Sequence, residues 1–109
     1  MGKLVYGTNV VEIGFDDRTL AHLSVVIVAK LRRRESLLFS WRDDSSVGDG
    51  RSSIWLDPSI PLFFKYFGSR PPKINRAWIL ALTAAANSNQ GLHLVPEPAD
   101  ADTVPSDEA

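Results

Sequence analysis

The sequence predicts one α+β domain, in which a small, mainly antiparallel sheet of about six strands packs against two helices. Segments with strand character outnumber the two segments with helical periodicity, and they follow one another in the order ββαβββαβ. The chain has 109 residues, 44% of them hydrophobic and 23% charged, which is close to an average globular domain. We therefore expect a single folded unit over residues 1–96.

The N-terminal segment is expected to form a β-hairpin. Two apolar runs between Leu4 and Phe15 are separated by Gly7-Thr8-Asn9, and the second run alternates apolar with smaller or polar residues. This period of two is typical of a half-buried strand.

A helix is expected from about Asp17 to Arg34. Asp16 and Asp17 offer an N-cap and a favourable charge at its start. Apolar residues then recur at spacings of three and four: Leu20, Leu23, Ile27 and Leu31. The branched run Val25–Val28 opposes a helix, because branched side chains lose rotamer freedom there. The helical spacing on both sides of that run decides in favour of the helix.

Three strands are expected next. Leu37–Arg42 and Ser52–Leu56 should pair antiparallel across a loop with an Asp49-Gly50 turn signal. The prolines of Asp57–Pro61 interrupt the pattern, because proline cannot donate to a strand ladder. Leu62–Phe67 is the third strand of this group.

A second helix is expected from about Pro72 to Asn87, since proline is suited to the first helical position. Its apolar residues again have helical spacing: Ile74, Trp78, Leu82 and Ala85. The polar run that ends in Gly91 should stop it, and Leu92–Val95 should form a last strand before Pro96.

The C-terminal segment Glu97–Ala109 has five acids and no base, and we expect it to be a disordered tail. Residues 1–96 hold 12 basic and 8 acidic side chains, so a net charge of -1 combines a basic domain with an acidic tail. Such a tail is able to screen the basic surface of the domain or to compete for it.

Several kinds of function lack support in the sequence. No cysteine is present, which excludes disulfides, thiolate zinc sites and a cysteine nucleophile. The chain has no phosphate-loop, dinucleotide-binding or nucleophile-elbow motif, so no cofactor and no catalytic residue is assigned. No apolar run approaches the roughly 20 residues of a transmembrane helix, and no signal-peptide core follows the start. We expect a cytoplasmic protein without a membrane partner.

Two sets of potential metal ligands have simpler explanations. Asp43, Asp44 and Asp49 lie near glycines, but they lack the alternating ligands and the closing glutamate of a calcium loop, so a solvated loop is expected. His22 lies beside the apolar stripe of the first helix, and His93 alternates with Leu92 and Leu94, so both are expected to be partly exposed packing residues.

The basic residues point to a function. Arg32, Arg33 and Arg34 end the first helix, and Arg70, Lys73 and Arg76 surround the start of the second, where free N–H groups favour anions. Aromatic residues accompany the strands and could stack on bases: Trp41, Trp55, Phe63, Phe64, Tyr66, Phe67 and Trp78. The leading hypothesis is a non-enzymatic accessory module that binds nucleic acid or another polyanion through these six cations. The alternative is a structural or regulatory protein that self-associates through an aromatic sheet face.

Specific segments carry a family resemblance: Phe15–Leu23, Ala29–Arg33, Phe39–Asp44, Gly48–Arg51, Ile54–Leu56, Lys65–Pro72, Ile74–Trp78, Ala86–Ser88, Gly91-Leu92 and Leu94–Pro98. Over about residues 1–98 the chain resembles short actinobacterial proteins of unknown function that often bear the name "ATP-dependent DNA ligase". The resemblance implies a third alternative, in which a lysine amine attacks ATP. Of the four lysines only Lys65 keeps the glycine of the Lys-x-Asp-Gly motif, and Phe67 replaces its acid.

Overall fold

The computed structural model describes residues 2–8, 11–42, 48 and 50–99. Six strands and two helices lie in this part of the chain: Gly2–Tyr6 (β1), Val11–Phe15 (β2), Asp17–Arg32 (α1), Leu37–Arg42 (β3), Arg51–Leu56 (β4), Leu62–Lys65 (β5), Arg76–Ala86 (α2) and Leu92–His93 (β6). The predicted α+β class and element order are confirmed.

The strands form two three-stranded sheets, where the sequence predicted one. The first sheet has the order β2-β1-β5, with both pairs antiparallel, and the second has the order β4-β3-β6. The β3–β6 pair is parallel. The division falls at the turn Asp57–Pro61, because its two prolines cannot continue the ladder of β4 and the chain crosses to pair with β1 instead.

The two sheets are joined by a tyrosine at the end of β1. The hydroxyl of Tyr6 donates to the Trp55 carbonyl oxygen at 2.8 Å and accepts from the Asp57 backbone N–H at 3.0 Å. The backbone N–H of Gly7 also donates to the Pro61 carbonyl oxygen at 2.9 Å. The chain that crosses between the sheets is therefore held at both of its ends.

Helix α1 begins as predicted and ends two residues early. The Asp16 carboxylate accepts from the Thr19 backbone N–H at 3.2 Å, which caps the first turn. At the other end Arg34 adopts a left-handed φ of 62°. The backbone N–H of Glu35 donates to the Lys30 carbonyl and that of Arg34 to the Leu31 carbonyl, which is the Schellman pattern that terminates helices.

Helix α2 begins four residues later than predicted. Pro72 lies before the helix, and Asn75 is the N-cap, because its side-chain oxygen accepts from the Trp78 backbone N–H at 3.3 Å. The last strand is also shorter than predicted and ends at His93.

Both helices cover the same side of the two sheets. Helix α1 packs on β1, while α2 packs on β3 and β6 and also on α1. Together they enclose one hydrophobic core: Leu4, Ile13, Phe15, Leu20, Leu23, Val26, Ile27, Leu37, Phe39, Leu56, Trp78, Leu82, Ala86 and Leu92. Within the described part of the chain, neither helix has the length and apolarity needed to cross a bilayer.

Contacts with the rest of the chain continue beyond Pro96. The sequence places Glu97 in the tail, whereas the structure binds its carboxylate to Arg18 and Asn75, and it binds the Pro98 carbonyl to Asn75. The expectation of disorder for residues 100–109 falls outside the described residues.

Candidate functional site

The segment 66–75, between β5 and α2, wraps around the first turn of α1. The Asp17 carboxylate accepts from the backbone N–H of Gly68 at 2.7 Å and of Phe67 at 3.3 Å. The Gly68 N–H is the main reason that the pKa of Asp17 lies below its ordinary value. One helical side chain thus fixes the start of this segment.

His22 holds the end of the same segment from within the core. Its Nε2 accepts from the Asn75 backbone N–H at 2.8 Å, and its Nδ1 lies 2.7 Å from the Arg18 carbonyl. Because Nε2 accepts a hydrogen bond, the ring proton lies on Nδ1. The ring centroid of His22 is 4.6 Å from that of Trp78, and the two rings are tilted by 35°. The expectation of partial exposure is wrong for His22, which is 0% exposed, because Asn75 and Trp78 cover it. His93 is half-buried, as expected.

A polar network closes over this point from the C-terminal side. Arg18 donates from Nε to Glu97 Oε1 at 3.0 Å and from Nη2 to Glu97 Oε2 at 2.5 Å, while Nη1 donates to the Lys73 carbonyl at 2.8 Å. The buried Asn75 amide donates to Glu97 Oε2 at 2.8 Å and to the Pro98 carbonyl at 2.9 Å. Arg18 and then Asn75 lower the pKa of Glu97 to about 2.

A cleft of about 420 Å³ opens beside this network, between α1 and segment 66–75. Val25, Ile74 and Pro72 give it apolar walls. Among the described residues that line it, Arg70 is the one cation and Asp17 the one carboxylate. The Tyr66 hydroxyl donates to Ser24 Oγ at 3.1 Å and closes one side. The cleft therefore offers an apolar surface next to a guanidinium.

Three of the six predicted cations lie together at this end of the molecule. Arg70, Lys73 and Arg76, which we call the α2-proximal cations, are exposed on segment 66–75 and the first turn of α2. Among the described residues, no carboxylate forms an ion pair with Arg70 or Lys73. The charges of Arg70 and Lys73 face solvent.

The other three predicted cations lie at the opposite end of the helix pair. The helices run parallel, since Arg18 bonds to Lys73 near the start of both and Lys30 Nζ donates to Asn87 Oδ1 at 2.5 Å near the end of both. Arg32, Arg33 and Arg34, the α1-terminal cations, are therefore separated from the first group by roughly the 24 Å length of a 16-residue helix. Glu35 lies close to this second group and pairs with Arg33 at 3.4 Å.

The aromatic residues divide between core and surface. Trp78 is buried, and Trp41, Phe64 and Tyr66 pack against the core. Three aromatic side chains are largely exposed: Trp55 (60%), Phe63 (57%) and Phe67 (62%). The register places Phe63 opposite Val5 and Trp55 opposite Leu38, so these two lie on the faces of the sheets that the helices do not cover.

From the sequence, Asp17 was assigned only to the start of α1, and Arg18 and Asn75 were not singled out. Asn75 before an apolar helical run is an N-cap signal that the adjacent prolines outweighed. The distribution of charge along the sequence is a further signal of a positively charged surface here, because the 39 residues from Pro58 to Pro96 contain no Asp or Glu.

The remaining candidates for chemistry lie away from this site. Asp43, Asp44 and Asp49 are outside the described residues. In the part of the chain that the structure describes, no group of three or more His, Asp or Glu residues is placed to hold a metal ion. Lys65 is exposed on β5, opposite Lys3 of β1, and does not line the cleft.

Comparisons with known proteins give a family and no function. No curated protein and no solved structure shows a significant match to the chain. Residues 1–97 match the family described as "Domain of unknown function (DUF7882)", and this span ends at Glu97, the residue that Arg18 and Asn75 bind. The chain belongs to the DUF7882 family.

Proposed function

We propose that this protein is a cytoplasmic, non-enzymatic module that binds nucleic acid through the α2-proximal cations. One observation carries the proposal: three exposed cations occupy seven residues, and both carboxylates beside them are already engaged. Asp17 is held by two backbone N–H groups and Glu97 by Arg18 and Asn75. No described carboxylate forms an ion pair with Arg70 or Lys73, so the charge of these two residues is available to an external anion.

Charge along the chain supports the same surface. The absence of acids from Pro58 to Pro96 means that β5, segment 66–75 and α2 add no negative charge. In α1 the sole carboxylate is Asp17. A phosphate that approaches the α2-proximal cations therefore meets little repulsion from the elements around them.

The cleft favours a nucleic acid over a simple anion. Its apolar walls of Val25, Pro72 and Ile74 stand next to Arg70, so a base or sugar can pack there while its phosphate meets the guanidinium. The α1-terminal cations, roughly one helix length away, would contact a longer strand at a second point.

The proposal is tested by fluorescence anisotropy with a labelled 20-nucleotide single strand and a 20-base-pair duplex over a salt series. Neutralising three phosphates predicts a slope of log affinity against log salt of about -2 for the single strand and about -3 for the duplex. The variant R70Q/K73Q/R76Q should bind at least about tenfold more weakly at low salt, because it removes these contacts.

The matched control is R32Q/R33Q/R34Q, which removes the same charge from the other end of the helix pair. It should weaken binding less than the first variant. Equal losses from both variants, or an affinity of the unaltered chain that does not change with salt, would contradict the proposal. If heparin displaced the labelled strand as effectively as unlabelled nucleic acid does, the proposed function would be reduced to a general preference for polyanions.

Self-association is a second candidate because Trp55 and Phe63 expose more than half of their surface on the uncovered sheet faces. If these faces pair between copies, sedimentation equilibrium should show a dimer that the F63S and W55S variants dissociate. A monomer at high concentration would exclude this function.

A further inference from the structure

We infer that the acidic segment 100–109 docks on the α2-proximal cations of its own chain and covers the surface that binds nucleic acid. The docking is a property of the chain alone, whereas its role as a competitor rests on the proposed function. Three features of the structure lead to this inference: the place where the segment leaves the domain, its reach and its charge.

The segment leaves the domain beside the α2-proximal cations. The same Arg18 guanidinium binds the Glu97 carboxylate and the Lys73 carbonyl, so Glu97 is fixed next to the backbone that carries Lys73. Asn75 holds the following residue by donating to the Pro98 carbonyl at 2.9 Å. Residues 100–109 therefore start two residues beyond Pro98, which is anchored at the start of α2.

The reach of the segment favours this cation group over the other. Ten residues extend at most about 35 Å, and a flexible chain covers much less on average. The α2-proximal cations adjoin the anchor, while the α1-terminal cations lie roughly 24 Å further along α1. A short tether gives the nearer group a high local concentration of carboxylates.

The composition of the segment is complementary to the surface. It contains Asp100, Asp102, Asp107 and Glu108 and no base, and so is opposite in charge to Arg70 and Lys73, which form no ion pair with a described carboxylate. Between the two acidic pairs stand Val104 and Pro105, the apolar counterpart of the cleft walls beside Arg70. A second copy of the domain is a poorer occupant, because it would bring basic surface against basic surface.

The docking is tested in the full chain without nucleic acid. The protein has no cysteine, so Ser106→Cys introduces one thiol for a nitroxide label. At low salt the label should broaden the amide signals of Ser69, Arg70 and Lys73 and leave those of Arg32–Arg34 sharp. The broadening should disappear at high salt and in the variant D100N/D102N/D107N/E108Q.

Three results would overturn the inference: no broadening, equal broadening at both cation groups, or broadening that grows with protein concentration and so reports a second copy. The consequence for binding is measured separately. Neutralising the segment in the unlabelled chain should raise affinity for the 20-nucleotide strand about threefold to tenfold, the effect expected from losing several exposed ion pairs.

The two proposals fail in distinguishable ways. If the label broadens the expected signals but no nucleic acid binds, the docking stands and the proposed function falls. If nucleic acid binds with the same affinity before and after neutralisation of the segment, the proposed function stands and the competition is refuted.

Discussion

Replacing Asn75 with alanine should destabilise the domain strongly, because this one side chain makes three hydrogen bonds from a fully buried position. Loss of the N-cap bond to the Trp78 N–H costs about 1 kcal/mol. Loss of the two amide bonds, to Glu97 and to the Pro98 carbonyl, costs about 1 kcal/mol each. For a domain of this size, a total of about 3 kcal/mol lowers the melting temperature by about 12 to 24 °C.

Urea and thermal unfolding followed by circular dichroism measure this loss. The matched control is Asn89→Ala, an exposed asparagine in the turn after α2, which should change stability by less than about 0.5 kcal/mol. Asn75→Asp keeps the capping oxygen but loses the amide donor and places a carboxylate against Glu97, so its stability should be intermediate.

The reasoning about this network would be refuted if the alanine variant of Asn75 were as stable as the Asn89→Ala control. An aspartate variant of Asn75 as stable as the unaltered chain would show that the cap alone matters and that the bonds to Glu97 and Pro98 contribute nothing.

Two further predictions concern pH and a close backbone approach. Because Arg18 and then Asn75 hold the pKa of Glu97 at about 2 against an ordinary 4.5, its contribution is complete above about pH 5 and is lost as pH falls towards 2. The stability difference between the unaltered chain and Glu97→Gln, measured by urea unfolding, should therefore shrink over that range, and a constant difference would contradict the assignment. Gly91→Ala should destabilise more than Gly48→Ala. Both glycines have positive φ. At Gly91 (φ 81°) a Cβ would meet the Leu38 carbonyl oxygen at 2.7 Å, whereas at Gly48 (φ 112°) no atom of the described residues lies within 4 Å. We expect about 1 to 2 kcal/mol for Gly48→Ala and a larger loss for Gly91→Ala in the same assay.

The candidate site was only partly predictable from the sequence. Charge type and helix ends identified six cations, but two groups at the ends of different helices are adjacent or distant depending on how the helices pack. The bond from Lys30 to Asn87 shows that α1 and α2 run parallel, and this places Arg32 and Arg70 at opposite ends. No local pattern contains that information.

The hydrogen-bond partners of the buried polar groups could not be predicted from the sequence either. His22 accepts from the backbone of Asn75, 53 residues away, and Arg18 meets Glu97, 79 residues away. Composition placed Glu97 in an acidic tail because its neighbours are acidic and proline-rich. In the structure, the Arg18 guanidinium and the buried Asn75 amide bind its carboxylate.

By itself, the sequence determined the α+β class, the order of the eight elements and the start of α1 at Asp17. These follow from periodicity and capping, which depend on residues within a few positions of one another. The tertiary structure alone decided that the strands divide into two sheets, that α2 starts at Arg76 and that Glu97 binds Arg18. Each of these outcomes depends on contacts between segments that are far apart in the sequence. The packing of the whole core selects those contacts, and its free energy must offset the entropy lost on closing the loops between them.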